Sequence, residues 1–391
     1  MNKQLNIIAA LFLLLVLCVN LYTLMGIDRD YQPYIAGDWL INYQGGFVRR
    51  GLIGEIIYLA TPIIGTSPWI SVYIIQAALY IAITLLISNK IKSGINIIGL
   101  LFIVSPLTLL FEIYDPGGLG RKELLILFLI GLNGYILEKH PEKIGEALYL
   151  YILTVVGSIT ILIHEIALFY FPFLFLQLAV YGKCVYRKFA FPAIIWLFFA
   201  GAILINRGGL QQAYDISVSW LPYTRSFYVA CGQFDFGAIC YLKTSAADAI
   251  QQAMAQGFVK AAAIHWVTIF AYSALFIFAI KSVVPTINKK AILINLILAL
   301  LLILPLYFLG IDYGRWTHIF VMGLFLSLPN KALNRTLVLG AHTGLNKIMA
   351  VLLVLFSLSW NVSHMRSDTI GVGIWDYHPF FLNPPIFRIF T

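Results

Sequence analysis

Apolar stretches of about twenty residues recur along the whole chain with short polar segments between them, and each can cross a hydrocarbon core of about 30 Å. Eleven such stretches are predicted as helices, at about 5–25, 69–88, 95–111, 122–137, 147–163, 166–181, 189–205, 264–280, 291–310, 316–328 and 348–361. The pattern predicts an all-α polytopic membrane protein, with residues 1–391 forming a single integral membrane domain. The first stretch follows Lys3 as a signal peptide would, but it lacks a small-residue cleavage site and is read as a retained helix.

Two connections on one side are long, 26–68 and 206–262. In the first, Ile53 to Pro62 is apolar on one face and is expected to form a short helix along the interface. In the second, 245–263 is rich in helix formers, and Ser245 and Asp248 have the spacing of a capping box. This second loop is too small for a separate catalytic domain and suits a lid over a membrane-level cavity.

Charge fixes an orientation. With Met1 in the cytoplasm, the cytoplasmic loops hold fourteen Lys or Arg against Glu138, Glu142 and Glu146, a balance of +11, while the opposite face comes to −2 of the total +9. Cytoplasmic enrichment in Lys and Arg is the positive-inside rule. The basic excess therefore reports topology and not nucleic-acid binding. A mean hydropathy of +0.88 and only 11% charged residues exclude a soluble globular domain. The opposite face mixes acids, arginines and histidines close to helix ends, where polar groups are costly and mark function. Cys231 and Cys240 share the large outer loop and are candidates for a disulfide in an oxidising compartment, two free thiols being the alternative.

Three outer segments carry candidate chemistry. Residues 37–55 hold glycines at 45, 46, 51 and 54, the phosphate-matching forks of Arg49 and Arg50, and the candidate bases Asp38 and Glu55, with Trp39 beside Asp38. An interfacial hairpin whose arginines meet lipid headgroups is the alternative. Residues 112–123 set Glu112 and Asp115 opposite a glycine-rich approach to a helix opening at Arg121 and Lys122, an anion-receptive N-terminus. The alternative leaves Asp115 capping a turn and Glu123 complementing the helix dipole. Residues 310–318 place Arg315 next to Trp316 with His318 beyond, a surface suited to phosphate and to a sugar face, although Asp312 at i−3 also suits a simple pair with Arg315. His164-Glu165 reads as an interhelical histidine, since adjacent residues diverge on a helix and zinc would need more ligands. His364, Arg366, Asp368, Trp375, Asp376, Tyr377 and His378 form a tail expected to fold back over the site. HExxH, CxxC, GxSxG, Walker and Rossmann patterns are all missing from the sequence, so no metal and no cofactor are expected.

A many-helix chain with an acid-bearing loop after helix 1, arginines on the outer loops and no nucleotide motif resembles the polytopic glycosyltransferases of the GT-C class and the Wzy-type O-antigen and capsule polymerases. The resemblance is one of architecture over the whole chain. It implies a bacterial inner-membrane enzyme that transfers a glycosyl unit at the extracytoplasmic face from a polyprenyl-(di)phosphate-linked saccharide to a glycan acceptor, among membrane lipids and other polysaccharide-assembly proteins. By position in the first outer loop, Asp38 corresponds to the catalytic acid of the class, with Glu112 and Asp115 as further candidates. Arg49, Arg50, Arg121, Lys122 and Arg315 would hold phosphate, and Trp39, Trp316 and His318 the sugar. A transporter or flippase of a lipid-linked saccharide is the competing class, and a membrane acyltransferase based on His164 or His318 a third.

Overall fold

The computed structural model describes residues 2–29, 34–92, 94–182, 186–223, 237–255, 258–281 and 289–334. Among them the chain is helical throughout, without strands. The long helices are α1 (Asn2–Arg29), α2 being a single turn (Ala36–Trp39), α3 (Gly51–Ile64), α4 (Pro68–Ile91) and α5 (Ile97–Val104). The turn α6 (Phe111–Tyr114) precedes α7 (Glu123–Lys139), α8 (Ala147–Ile163), α9 (Ala167–Tyr170) and α10 (Pro172–Val180). Then come α11 (Ala190–Ile205), α12 (Leu210–Ser219), α13 (Ala246–Ala255), α14 (Phe258–Lys281), α15 (Lys289–Ile303), α16 (Leu306–Leu309), α17 (Tyr313–Ser327) and α18 (Asn330–Asn334).

Among the described residues, five helical stretches are long and apolar enough to cross a membrane: Asn6–Gly26, Pro68–Ile91, Arg187–Ile205, Ala262–Ile280 and Lys289–Leu309. They match the spans expected at 5–25, 69–88, 189–205, 264–280 and 291–310, and the other six of the eleven expected are not confirmed. Several predicted spans are shorter than a bilayer needs because the chain itself interrupts them. The 95–111 span stops at Val104, before Ser105-Pro106, since a residue preceding proline is steered out of the helical region. The 166–181 span splits into α9 and α10 at Phe171-Pro172; the 291–310 span is also broken at Leu304-Pro305, but its apolar stretch Lys289–Leu309 remains long enough to cross. The span expected at 348–361 lies outside the described residues, as does the tail from His364 to His378.

The bundle is packed by neighbours in space: α1 on α4, α4 on α7, α7 on α17, α17 on α14, α10 on α15, and α8 on α11. Its dry interior is aromatic and aliphatic, with Phe102, Phe173, Phe276, Tyr170 and Tyr307 fully covered. Leu, Ile and Phe are exposed on the outer faces of α1, α11, α14 and α15, a surface suited to a bilayer.

The two long loops form a second layer at one end of the bundle. Ile41 and Val48 pack with Ala213, Ile216, Ile239 and Leu242 in a small separate core. Arg49 N donates to Asn206 O at 3.1 Å, and Trp220 Nε1 to Leu40 O at 2.9 Å. The described part of the large loop therefore packs on the first loop. The segment Ile53 to Pro62 is helical, as α3, and the capping box at α13 is formed: Asp248 N donates to Ser245 Oγ at 3.1 Å and Ser245 N to Asp248 Oδ2 at 3.0 Å. Cys240 is in a disulfide; its expected partner, Cys231, lies outside the described residues.

Candidate active site

The polar end of the bundle is assembled around one clamped peptide. Gly120 has a left-handed φ of 68°, and its carbonyl accepts from Trp39 Nε1 at 2.7 Å and Gln76 Nε2 at 2.6 Å. Its N–H donates to Tyr80 Oη at 2.9 Å. A β-carbon there would lie 2.5 Å from Leu24 and 3.0 Å from Gln76, so glycine is required for space as well as conformation. This clamp fixes the entry of α7, and with it Arg121, Lys122 and Glu123.

A second fixed point is Arg50. It is the one non-glycine residue among those described with a positive φ, 66°, a conformation that costs an L-residue about 1–2 kcal/mol. Three interactions hold it there. Its guanidinium grips Glu165, Nε at 2.9 Å from both carboxylate oxygens and Nη2 at 2.7 Å from Oε1. Its Nη1 lies 3.4 Å from Asp38 Oδ1. Its carbonyl accepts from the fully buried Lys122 Nζ at 2.8 Å. Backbone strain retained by over-determined contacts is characteristic of functional positions.

Around these two points α2, the start of α3, the start of α7, the α8–α9 turn and the start of α17 bring charged groups together. Glu123 Oε1 lies 3.3 Å from His164 Nε2 and 3.2 Å from Arg315 Nε. Arg315 Nη2 also lies 2.8 Å from Asp312 Oδ2, and Arg49 Nη1 is 3.8 Å from Glu165 Oε1. Asp38, Lys122, Glu123, His164 and Arg315 are all buried. Taking so many charges out of water costs several kcal/mol per ion before pairing repays it.

The electrostatics are cooperative. Burial raises the Asp38 pKa, but Lys122, Arg50, His164 and Arg121 outweigh it and hold the carboxyl below its ordinary value. Burial likewise raises Glu165, and Arg50 with His164 drives it well below the usual range. Lys122 is pushed down to about 8 by burial, with Asp38 opposing. His164 is lowered by burial yet ends up raised, because Glu123 and Glu165 favour its cation.

The arrangement is compensated but not neutral. Arg49, Arg50, Arg121, Lys122 and Arg315 face Asp38, Glu123, Glu165 and Asp312, leaving one positive charge over, and two when His164 is protonated. Three helices of fourteen residues or more, α3, α7 and α17, start inside the cluster and add their positive dipole ends. Both oxygens of Glu123, both ring nitrogens of His164 and Nε of Arg315 and Arg49 are buried without an aligned hydrogen bond. Buried donors and acceptors left in this way are rare in interiors and call for an explanation such as a ligand or an ion.

Of the residues singled out from sequence, Asp38, Arg49, Arg50, Arg121, Lys122 and Arg315 come together here. The others do not. Glu112 lies apart in a cavity of about 30 Å³ between α1, α4, α6, α7 and α17, where Asn20 Nδ2 donates to its Oε2 at 3.2 Å. Asp115 takes the turn-capping alternative, accepting from Gly117 N at 3.2 Å. Trp39 is fully buried and spent on Gly120. Trp316 is packed against Tyr307 and Tyr313. His318 stacks on Phe111 at 4.5 Å and has Leu107 O 3.0 Å from its Nδ1. All three rings are buried and engaged in these contacts. Glu123, His164 and Glu165 belong to the cluster although sequence reasoning gave them structural roles. The available signal was that His164-Glu165 sits between two apolar helices with almost no loop to keep it in solvent.

No family model matches this chain, and neither a curated protein nor a solved structure is similar to it.

Proposed function

We propose that the protein is a membrane-embedded glycosyltransferase of GT-C-like or Wzy-like architecture, acting at the extracytoplasmic face on a polyprenyl-(di)phosphate-linked saccharide. The observation that carries this reading is the convergence of five basic side chains and three helix N-termini on the buried Asp38 at one end of a hydrophobic bundle. A lipid-linked sugar brings its own leaving group, so catalysis needs cations where phosphate charge develops and one carboxylate to accept the acceptor's proton. Arg50, Lys122 and Arg315 supply the first and Asp38 the second. No nucleotide-binding element is required for such a donor. The charge asymmetry of the loops supports placing this end outside.

In this reading Arg50 has two states. Without donor it is neutralised by Glu165 and Asp38. An arriving phosphate competes for its fork, and Asp38, released from Arg50, is free to take a proton. The test is complementation of a deletion strain with wild type, Asp38→Asn and Arg49→Ala/Arg50→Ala, followed by mass spectrometry of surface glycans and lipid-linked intermediates. Both variants are expected to accumulate in the membrane and to lose product by at least about 100-fold, the scale of losing a general base. Wild-type glycans in the deletion strain would end the glycosyl-transfer reading.

A further inference from the structure

Seven side chains form one line of alternating charge across the polar end of the bundle: Asp312, Arg315, Glu123, His164, Glu165, Arg50 and Asp38, with successive nearest contacts of 2.8, 3.2, 3.3, 3.7, 2.7 and 3.4 Å. Six members carry fixed charge at neutral pH. His164 is the midpoint and the one member whose charge is conditional. Each of its nitrogens faces a carboxylate, Nε2 that of Glu123 and Nδ1 that of Glu165. A neutral imidazole has one donor and one lone pair, so one of its two carboxylates would meet a lone pair. Only the cation can serve both. His164 is 1% exposed, so solvent cannot stand in for a missing contact. Its backbone is fixed at the α8–α9 turn by His164 N to Thr160 O at 2.8 Å and Ala167 N to His164 O at 3.1 Å.

We infer that His164 is the positioning residue of the site: as an imidazolium it ties Glu123 to Glu165, the two carboxylates that hold Arg315 and Arg50, and so fixes the spacing of the two guanidinium groups. Without that cation, Glu123 and Glu165 face each other across a neutral ring in a dry interior and the arginines they anchor move with them. The charged groups facing His164 are Glu123 from α7, Glu165 beside it, Arg50 at the start of α3 and Asp38 on α2. The two carboxylates in contact outweigh Arg50. The consequence for phosphate binding rests on the function proposed above; the tie itself does not.

The test uses the full chain purified in detergent, as wild type, His164→Gln and His164→Lys. A histidine favoured as the cation in the fold contributes stability that is complete below about pH 6.5, its unfolded value, and is lost as pH rises through the folded value. Melting temperature is followed from pH 5.5 to 9. The difference between wild type and His164→Gln cancels the titration of groups remote from the ring and leaves that of His164 with the carboxylates coupled to it. That difference is expected to reach about 3 °C or more at low pH and to shrink as pH rises, while His164→Lys, whose cation persists to higher pH than an imidazolium, loses less stability over the same interval. A pH-independent difference overturns the inference. Should His164→Gln fail to accumulate, ¹⁵N-labelled histidine in wild type decides: a doubly protonated imidazole persisting at pH 7.5 supports the tie, and its absence overturns it. Binding of farnesyl phosphate in the same detergent separates the two claims. Weakening of at least about tenfold in His164→Gln at pH 6.5 supports positioning, and equal binding by both proteins at every pH overturns it. Lack of binding by wild type, with the melting difference present, removes the phosphate reading and leaves the tie standing.

Discussion

Arg50 is where conformation and charge pull in opposite directions, and the balance can be measured. Its left-handed backbone costs about 1–2 kcal/mol, whereas removing one partner of a buried ion pair costs about 3–5 kcal/mol because the other charge is left behind. Its side chain is 23% exposed, which places the second figure at the low end. Arg50→Gly therefore relaxes the backbone but strands Glu165 and Asp38, and a net loss of about 2 kcal/mol in chemical-denaturation stability is expected. Arg50→Gly/Glu165→Gln should recover at least about 1 kcal/mol of it, since the pair is coupled. Additive losses would mean that the contact is idle. Lys122 gives a prediction with opposite signs for stability and binding. Its pKa falls to about 8 from 10.5, so between those values the unfolded chain binds more protons than the fold, and Lys122's own contribution to stability rises with pH. Phosphate binding should fall over the same interval as the cation is lost. Lys122→Met is expected to flatten the alkaline limb of a farnesyl phosphate binding profile; an unchanged limb would assign that titration elsewhere.

At the scale of elements, the site depends on how closely helices approach one another. A β-carbon on Gly54 of α3 would lie 1.9 Å from Ile41 O, backbone that cannot step aside. Gly54→Ala should push α3, and Arg50 at its start, away from the 38–42 segment, costing about 1–3 kcal/mol and at least tenfold in activity. Gly37→Ala, with open space within 4 Å of the added carbon, should leave both nearly unchanged. Equal effects in membrane-level expression and glycan output would sink this account. The same scale explains what could be read in advance. α4, α7, α8 and α11 follow their apolar runs almost to the residue because nothing interrupts them. Residues 95–111, 166–181 and 291–310 were legible as apolar but not as broken, since apolar periodicity does not register where a proline will be tolerated. In the site, the basic residues stood out because arginine beside a helix end is conspicuous. Glu123, His164 and Glu165 did not, because their partners come from elsewhere in the fold: Arg50 meets Glu165 across 115 positions of sequence.

At the scale of the molecule, every argument about chemistry depends on which side of the membrane holds Asp38. The fold supplies an internal check, because its two polar ends differ in kind. One end collects the starts of α3, α7 and α17 and the ion line. The other collects Lys90, whose Nζ donates to Leu326 O at 3.2 Å, and Glu138, which accepts from Tyr181 Oη at 2.7 Å and Asn330 N at 3.3 Å. The second end belongs to the loops carrying the +11 balance, which the proposed orientation keeps in the cytoplasm. Cysteines placed singly at the exposed positions Gln44, Ala246 and Glu142 read this directly. In intact spheroplasts an impermeant maleimide should label Gln44→Cys and Ala246→Cys, and Glu142→Cys only after the membrane is opened. The reverse result would place Asp38, Arg50 and Lys122 in the cytoplasm, where nucleotide-linked donors are at hand, and the case for a lipid-linked donor, built on the missing nucleotide site, would fall with it.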